Sequence, residues 1–346
     1  MARSFDRSRR NALRTIAAAG ALALGANAFA GRAAMNARLY ADDALAAYGF
    51  PEGHPLGIDR QGAFLREAQR RGLVEQVHLG DSRVASRAEI ERFHTAAYVR
   101  RVETAEQTGL ELLDTGDTPV FPGVYRAAAT VVGAALEGLS NIMTGKGLRA
   151  FQPIGGLHHA GRGHAAGFCV FNDLGVVIET LRSEYGLKRV GYIDIDVHFG
   201  DGVYYAFEED PDLIFADIHQ DGRTLYPGTG HEHETGKGKA KGTKLNIALQ
   251  PGSGDREFLE AWPRVEAHLE RFEPEFIVFQ CGADGLAGDP LAYLEYSPAA
   301  HAHTTKRLRM IADRFAMGRI MAFGGGGYNR ENIANAWSEV LAGLAG

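Results

Sequence analysis

Short apolar runs alternate with longer amphipathic stretches along the chain from residue 37 onward. The apolar runs span five to nine residues and are nearly continuous, which is typical of strands buried on both faces of a parallel sheet. The longer stretches repeat apolar positions at helical spacing. The predicted strands cover residues 37–41, 149–154, 189–196, 213–219, 276–284 and 319–325, and the predicted helices cover 59–71, 88–106, 123–143, 172–185, 255–272, 299–317 and 330–344. This alternation predicts an α/β fold: a single domain with a mostly parallel β-sheet and helices on both faces.

Polar residues of unusual type stand where the predicted strands end. In "DIDVHFGDG", Asp194, Asp196 and His198 occupy every second position, so their side chains point to the same side of an extended chain. Asp284 and the glycine-rich segment 324–328 follow two later strands. In open α/β sheets, ligands bind beyond the carboxyl ends of the strands. We therefore expect one active site at that edge of the sheet.

Three of these residues form a candidate metal site. Asp196 and His198 can reach one ion from the same strand face, and Asp284 can supply a third ligand. Two carboxylates and one imidazole leave a position open for water or substrate, as in catalytic zinc sites. The alternative is a buried salt-bridge network, but few Lys or Arg residues lie nearby to pair with the acids.

A histidine doublet adds acid–base chemistry to this prediction. His158 and His159 follow a strand and two glycines. Asp194 and Asp201 are not needed as ligands, so each could accept a hydrogen bond from one of these imidazoles and fix its orientation. Two His–Asp pairs beside a metal form an acid–base system. Tyr328 could donate to an oxyanion opposite the metal, or could merely pack after its turn.

These motifs identify a family resemblance. The chain resembles the zinc-dependent histone deacetylase superfamily, which has the arginase–deacetylase fold, over residues 37 to 344. The segments "GDTPVFPGVY" (116–125) and "GFPEGHPLGIDR" (49–60) are most similar to bacterial acetoin-utilisation-type deacetylases, and acetylpolyamine amidohydrolases are close relatives. The matching motifs are the His158-His159 doublet, "GFCVFND" (167–173), "DIDVHFGDG" (194–202), "YPGTG" (226–230), "GADGLAGDPL" (282–291) and "GGGGY" (324–328).

The resemblance implies a role for each matching residue. His159, oriented by Asp201, would be the general base and then the general acid, with the His158–Asp194 pair as its electrostatic partner. The implied catalytic residues are thus His158, His159, Asp194, Asp201 and Tyr328. The implied ligands of one catalytic Zn²⁺ are Asp196, His198 and Asp284. The implied substrate-binding residues are Phe168 and Tyr226 as tunnel walls, Asp117 at the rim, and Gly326.

Two positions depart from the family pattern. Phe199 stands where many relatives have a second histidine, and Asp217 stands where many have serine. In the family this region holds a structural monovalent cation, K⁺, which also uses the carboxylate of Asp194. An extra carboxylate would strengthen or change that site. Because Asp201 and the His158-His159 doublet are retained, we expect activity to survive.

Residues 1–30 have the composition of a secretory signal. Arginines precede an apolar run that ends in Ala28-Phe29-Ala30, a typical cleavage pattern. The adjacent Arg9-Arg10 resembles a twin-arginine signal, so we expect the domain 31–346 to be exported to the periplasm. A start at Met35 would instead give a cytoplasmic protein, and a basic helix is the other alternative. The apolar run is too short for stable membrane insertion.

The net charge of the chain indicates which classes of ligand it can attract. The whole chain has a formal charge of −6. Residues 1–30 hold five arginines and one aspartate, a net of +4, so the remainder carries −10. This balance argues against nucleic acid as a partner and weakly favours cationic ligands. The oligomeric state is left open.

Three functions remain in competition. The first is a zinc amidohydrolase that removes acetyl groups from small amines or lysine side chains. The second is an arginase-like binuclear ureohydrolase, which would need a further acid where this chain has Gly282. The third is a catalytically weak binder of acylated amines, which loss of Tyr328 or of the histidine doublet would indicate. Both are present, so the amidohydrolase is favoured.

Overall fold

The computed structural model describes residues 36–51 and 53–346, so the predicted signal and the alternative start Met35 lie outside the described residues. Residues 37–346 form one compact unit. Within the described residues, the strands are β1 (Ala37–Tyr40), β2 (His78–Gly80), β3 (Arg149–Gln152), β4 (Val190–Asp194), β5 (Leu213–Gln220), β6 (Lys244–Leu249), β7 (Phe276–Gln280) and β8 (Ile320–Phe323). The α-helices are α1 (Asp43–Ala46), α2 (Arg60–Arg70), α3 (Arg87–Ile90), α4 (Ala96–Glu103), α5 (Val124–Met143), α6 (Asp173–Ser183), α7 (Asp201–Ala206), α8 (Asp255–Phe272), α9 (Pro298–Phe315) and α10 (Arg330–Ala345).

All strands belong to one parallel sheet in the order β2-β1-β3-β8-β7-β4-β5-β6. The predicted α/β class with a parallel sheet and helices on both faces is confirmed. The two strands absent from the prediction, β2 and β6, are the sheet edges, and they lack the continuous apolar run of a central strand. The helix predicted over 88–106 is divided in two, because Thr95 caps a new helix by accepting a hydrogen bond from the Tyr98 N–H.

The core lies in two layers, one on each face of the sheet. Tyr192 and Val278 pack with the helices α5 and α6, whereas their neighbours Ile193 and Phe279 pack with α2, α8, α9 and α10. Successive strand residues thus face opposite layers, as the period of an extended chain requires. No α-helix of the described residues has the length and apolar character needed to span a membrane.

Four neighbouring strands deliver the predicted site residues to one edge of the sheet. In the order β3-β8-β7-β4, their carboxyl ends lead to His158, Tyr328, Asp284 and the segment 194–198. Since all four strands are parallel, these segments emerge together at the same edge.

Candidate active site

The three predicted metal ligands form one buried cluster. His198 Nδ1 lies 3.1 Å from Asp196 Oδ1 and 3.2 Å from Asp284 Oδ2. Ligand atoms bound to a tetrahedral zinc ion at its usual bond lengths are about 3.3 Å apart. Among the described residues, this is the one group of three His, Cys, Asp or Glu side chains close enough to share an ion. The donor set and its spacing therefore fit a zinc ion.

The carboxylate oxygens show which atoms remain for an ion. Asp196 Oδ2 accepts hydrogen bonds from Gln280 Nε2 and the Gly326 N–H, each at 2.8 Å. Asp284 Oδ1 accepts from the Val197 N–H at 3.1 Å. Asp284 Oδ2 is buried without a hydrogen-bond partner among the described residues, because His198 Nδ1 is near but not aligned for a hydrogen bond. An orphaned carboxylate oxygen at this place is what a cation would satisfy.

The pKa shifts of the three residues also indicate a cation site. Burial and the charge of Asp196 raise the pKa of Asp284 to about 6. Burial lowers the pKa of His198, but the adjacent carboxylates of Asp196 and Asp284 outweigh it and raise that pKa to about 10. The pKa of Asp196 lies well below its ordinary value, because His158 and His198 outweigh the effect of burial. The ligands thus hold a proton that a bound cation would displace.

Two glycines make room for this cluster. A Cβ atom at Gly282 would lie 2.1 Å from Asp196 Oδ2, and one at Gly326 would lie 2.0 Å from Asp284 Oδ2. The side chain that a binuclear ureohydrolase would need at position 282 therefore has no space here.

Replacing Gly326 with Ala is expected to lower zinc affinity by about 10–100-fold, because the added methyl group displaces the Asp284 carboxylate. Competition with a chelator of known affinity measures the change. The control is Gly62→Ala in α2, where the nearest atom to the new Cβ is the flexible end of Arg66 at 3.3 Å. Equal zinc affinity in the Gly326 variant and the wild type would contradict the assignment of Asp284 as a ligand.

The histidine doublet forms the two predicted His–Asp contacts. His158 Nδ1 lies 2.8 Å from Asp194 Oδ2, and His159 Nδ1 lies 2.6 Å from Asp201 Oδ1. The two Nε2 atoms are 3.1 Å apart. The Tyr192 hydroxyl also donates to Asp194. With Nδ1 of each ring engaged by a carboxylate, Nε2 of each ring is the atom left for proton transfer.

Burial determines the charge of these pairs. Burial and the neighbouring His158 lower the pKa of His159, and Asp201 only partly opposes them. His159 is therefore neutral near pH 7 and can accept a proton. Burial, together with the charges of Asp217 and Asp196, raises the pKa of Asp194 well above its ordinary value.

Tyr328 stands at the end of the glycine-rich segment, held by two residues that the sequence reasoning missed. Arg60, which is buried, donates from Nε to the Gly327 carbonyl oxygen at 2.9 Å and from Nη2 to that of Gly325 at 2.5 Å. Asp289 Oδ2 accepts from the Tyr328 N–H at 2.8 Å. Burial and the nearby acids raise the pKa of Tyr328 well above 10, so its hydroxyl stays protonated and can donate. Arg60 and Asp289 both lie inside motifs of the family pattern, but nothing in the sequence indicates that they contact the backbone of the glycine-rich segment and of Tyr328.

The predicted substrate-binding residues surround this centre. The ring of Phe168 meets that of Tyr328 edge-on at 5.8 Å, and the ring of Tyr226 meets that of His159 at 5.1 Å. Asp117 and Tyr226 line a cavity of about 460 Å³ whose lining includes neither the metal ligands nor Tyr328. Partial burial and the adjacent Asp114 raise the pKa of Asp117 to about 6.

The two departures from the family pattern have a local explanation. Phe199 is buried against the ring of His219, with centroids 5.2 Å apart. Asp217 accepts from the Gly200 N–H at 3.0 Å and contacts His219 Nδ1 at 2.7 Å, while His219 Nε2 lies 2.8 Å from the Gly230 carbonyl oxygen. Burial lowers the pKa of His219, but Asp217 outweighs it and raises that pKa. The extra carboxylate thus pairs with a histidine of the chain itself.

Comparison with known proteins gives the family. The chain matches the histone deacetylase domain over residues 54–344. It therefore belongs to the histone deacetylase family, and it has the arginase–deacetylase fold. Membership identifies it as a deacetylase enzyme that hydrolyses acetyl groups.

Individual relatives place it more narrowly. It is 37% identical to the acetoin utilization protein AcuC of Bacillus subtilis (strain 168) over 273 residues, 76% of this chain and 70% of that protein. It is 32% identical to AcuC of Staphylococcus xylosus over 317 residues, 89% of this chain and 82% of that protein. The crystal structure of the HDA15 HD domain matches with a TM-score of 0.81 at 26% identity, over 90% of both chains. The predicted similarity to acetoin-utilisation-type deacetylases is confirmed.

Proposed function

We propose that this protein is a zinc-dependent amidohydrolase that removes N-acetyl groups from acetylated amines or acetyl-lysine. The orphaned Asp284 oxygen beside His198 is the observation that carries the proposal, because it fits a divalent cation at the carboxyl ends of the central strands. His159 and Tyr328 support it, since the neutral base lies beside His198 and the acids of the cluster help to keep the Tyr328 hydroxyl protonated.

The mechanism follows from the contacts of these residues. Zinc held by Asp196, His198 and Asp284 would supply a Lewis acid for the amide carbonyl group and for water. His159 accepts the proton of the attacking water at Nε2, while Asp201 holds its Nδ1–H. The Tyr328 hydroxyl donates to the developing oxyanion.

Product formation uses the same imidazole in its other role. Protonated His159 gives its Nε2 proton to the amine nitrogen as the C–N bond breaks. The products are acetate and the free amine. The Nε2 atom of His158, whose ring is paired with Asp194, lies 3.1 Å from Nε2 of His159. This second pair stabilises the positive charge that His159 acquires.

The substrate class is open to a direct test. Purified, zinc-loaded protein is assayed for acetate release from acetylputrescine, acetylspermidine, acetyl-lysine and an acetyl-lysine peptide. We expect release from at least one of them, with the cationic small amines favoured by the negative net charge. Zinc binding without acetate release from any of the four would contradict the proposal and favour the weak binder of acylated amines.

Two further assignments rest on the sequence. We propose that the chain is exported, on the twin-arginine-like segment at its N-terminus. N-terminal sequencing of the protein from its native host tests this: cleavage after Ala30 supports export, whereas a chain that begins at Met1 or Met35 contradicts it.

We also propose that a structural K⁺ ion binds beside Asp194. Activity that depends on K⁺ concentration would support it, and activity indifferent to K⁺ would contradict it.

A further inference from the structure

Phe168 has a backbone conformation that is rare for its residue type. Its φ of 68° lies in the left-handed region. Among the described residues, the other non-glycine residues with positive φ are Glu273 and Met317, which follow the helices α8 and α9, where left-handed residues are common. Phe168 follows no helix and carries a bulky ring. Such a conformation persists only where the surroundings hold it, and it is typical of functional sites.

Hydrogen bonds hold Phe168 on both of its peptide groups. Its N–H donates to the Thr118 hydroxyl oxygen at 3.1 Å. Its carbonyl oxygen accepts from the Tyr48 hydroxyl at 2.7 Å, and that hydroxyl oxygen accepts in turn from the Val170 N–H at 3.0 Å. Thr118 and Tyr48 are both buried, so water does not compete for these contacts.

Asp114 fixes the direction of the Thr118 hydroxyl. The hydroxyl donates to Asp114 Oδ2 at 2.6 Å, which leaves its lone pairs free for the Phe168 N–H. Asp114 Oδ1 accepts from the backbone N–H groups of Gly116, Asp117 and Thr118 at 3.0, 3.1 and 3.0 Å. One carboxylate therefore organises the loop that carries the rim residue Asp117 and, through Thr118, the backbone of Phe168.

The ring of Phe168 connects this arrangement to the active site. It lies edge-on to Tyr328 at 5.8 Å and to His54 at 4.6 Å. A Phe168 released into an ordinary backbone conformation would point its ring in another direction, because φ sets where the side chain projects.

We propose that Thr118 is a positioning residue whose hydroxyl, oriented by Asp114, holds Phe168 left-handed and thereby sets the tunnel width beside Tyr328. The inference rests on the proposed deacetylase function, in which Phe168 walls the tunnel for the amine chain. Thr118 acts on the substrate only through Phe168, so its loss changes substrate binding and selectivity more than the chemical step.

The test compares Thr118→Val, which keeps the shape but removes the hydroxyl, with Thr118→Ser, which keeps the hydroxyl. Thr118→Val is expected to raise KM for the preferred acetylated amine about five- to tenfold, with kcat within about twofold, because the hydroxyl loses both its hydrogen bond to Asp114 and the one it accepts from the Phe168 N–H. Its preference for a linear over a branched N-acetylalkylamine is expected to fall by a similar factor. Thr118→Ser is expected to retain wild-type KM and preference.

A structural readout separates this inference from the proposed function. Crystal structures of the wild-type and Thr118→Val proteins are compared at Phe168, whether or not either releases acetate. Departure of Phe168 from the left-handed region in the variant supports the inference, and an unchanged Phe168 overturns it. Equal KM and equal preference in the Val and Ser variants also overturn it. Should Thr118→Val fail to fold, Thr118→Ala, which also removes the hydroxyl that holds the Phe168 N–H, carries the same test.

Discussion

Replacing His159 with Ala is expected to lower kcat for acetate release by about 10³–10⁴-fold. This is the upper part of the range for general acid–base catalysis, because one imidazole serves as the base for water and then as the acid for the leaving amine. Asp201 holds Nδ1 of this ring, so Nε2 is the nitrogen that exchanges the proton, and the substitution removes it. Steady-state acetate release over a range of substrate concentrations measures the change.

The pH dependence provides a second readout of His159. Since burial and His158 lower its pKa below the ordinary 6.5, the wild-type kcat/KM is expected to fall only as the pH drops below that value, when the imidazole becomes protonated. His78→Ala, on the edge strand β2, is the control and should retain wild-type activity. A His159→Ala protein with kcat within tenfold of wild type would remove His159 from the mechanism.

Replacing Tyr328 with Phe is expected to lower kcat by about 10²–10³-fold, or about 3–4 kcal/mol of transition-state stabilisation. The ring contact with Phe168 is retained, and only the hydroxyl that would donate to the oxyanion is lost. Because that donation strengthens only as charge develops on the oxygen, KM is expected to change little.

The control for Tyr328→Phe is Tyr205→Phe, which removes a hydroxyl from an exposed tyrosine whose partner is Glu234. Both variants should keep the melting temperature and zinc affinity of the wild type, which separates a catalytic loss from misfolding. If Tyr328→Phe raises KM and leaves kcat unaltered, the residue binds substrate but does not stabilise the oxyanion.

The central strands could be predicted from the sequence because burial on both faces makes them nearly continuous apolar runs. The same reasoning could not find the edge strands β2 and β6, whose residues are partly exposed. The site residues at the ends of the central strands could also be predicted, since Asp196, His198 and Asp284 are polar residues that follow apolar strands. Their convergence follows from the parallel sheet order.

The residues that hold the backbone of the active site could not be predicted from the sequence. Arg60 contacts carbonyl groups 265 and 267 residues later in the chain, and Asp289 holds the backbone of Tyr328 from 39 residues away. Thr118 likewise meets Phe168 across 50 residues. These are contacts to backbone atoms, and backbone atoms leave no residue-type pattern in the sequence that would reveal a partner.

Zinc titration of the metal-depleted full-length chain, with acetate release as the readout, tests whether a single zinc ion is required for activity. We expect no activity without metal, activity that rises in proportion to added zinc, and saturation at one ion per chain. We also expect that zinc does not restore activity to Asp284→Asn, which loses one of the three ligands. Full activity of the zinc-free chain, or saturation only at two ions, would contradict a mononuclear zinc deacetylase at Asp196, His198 and Asp284.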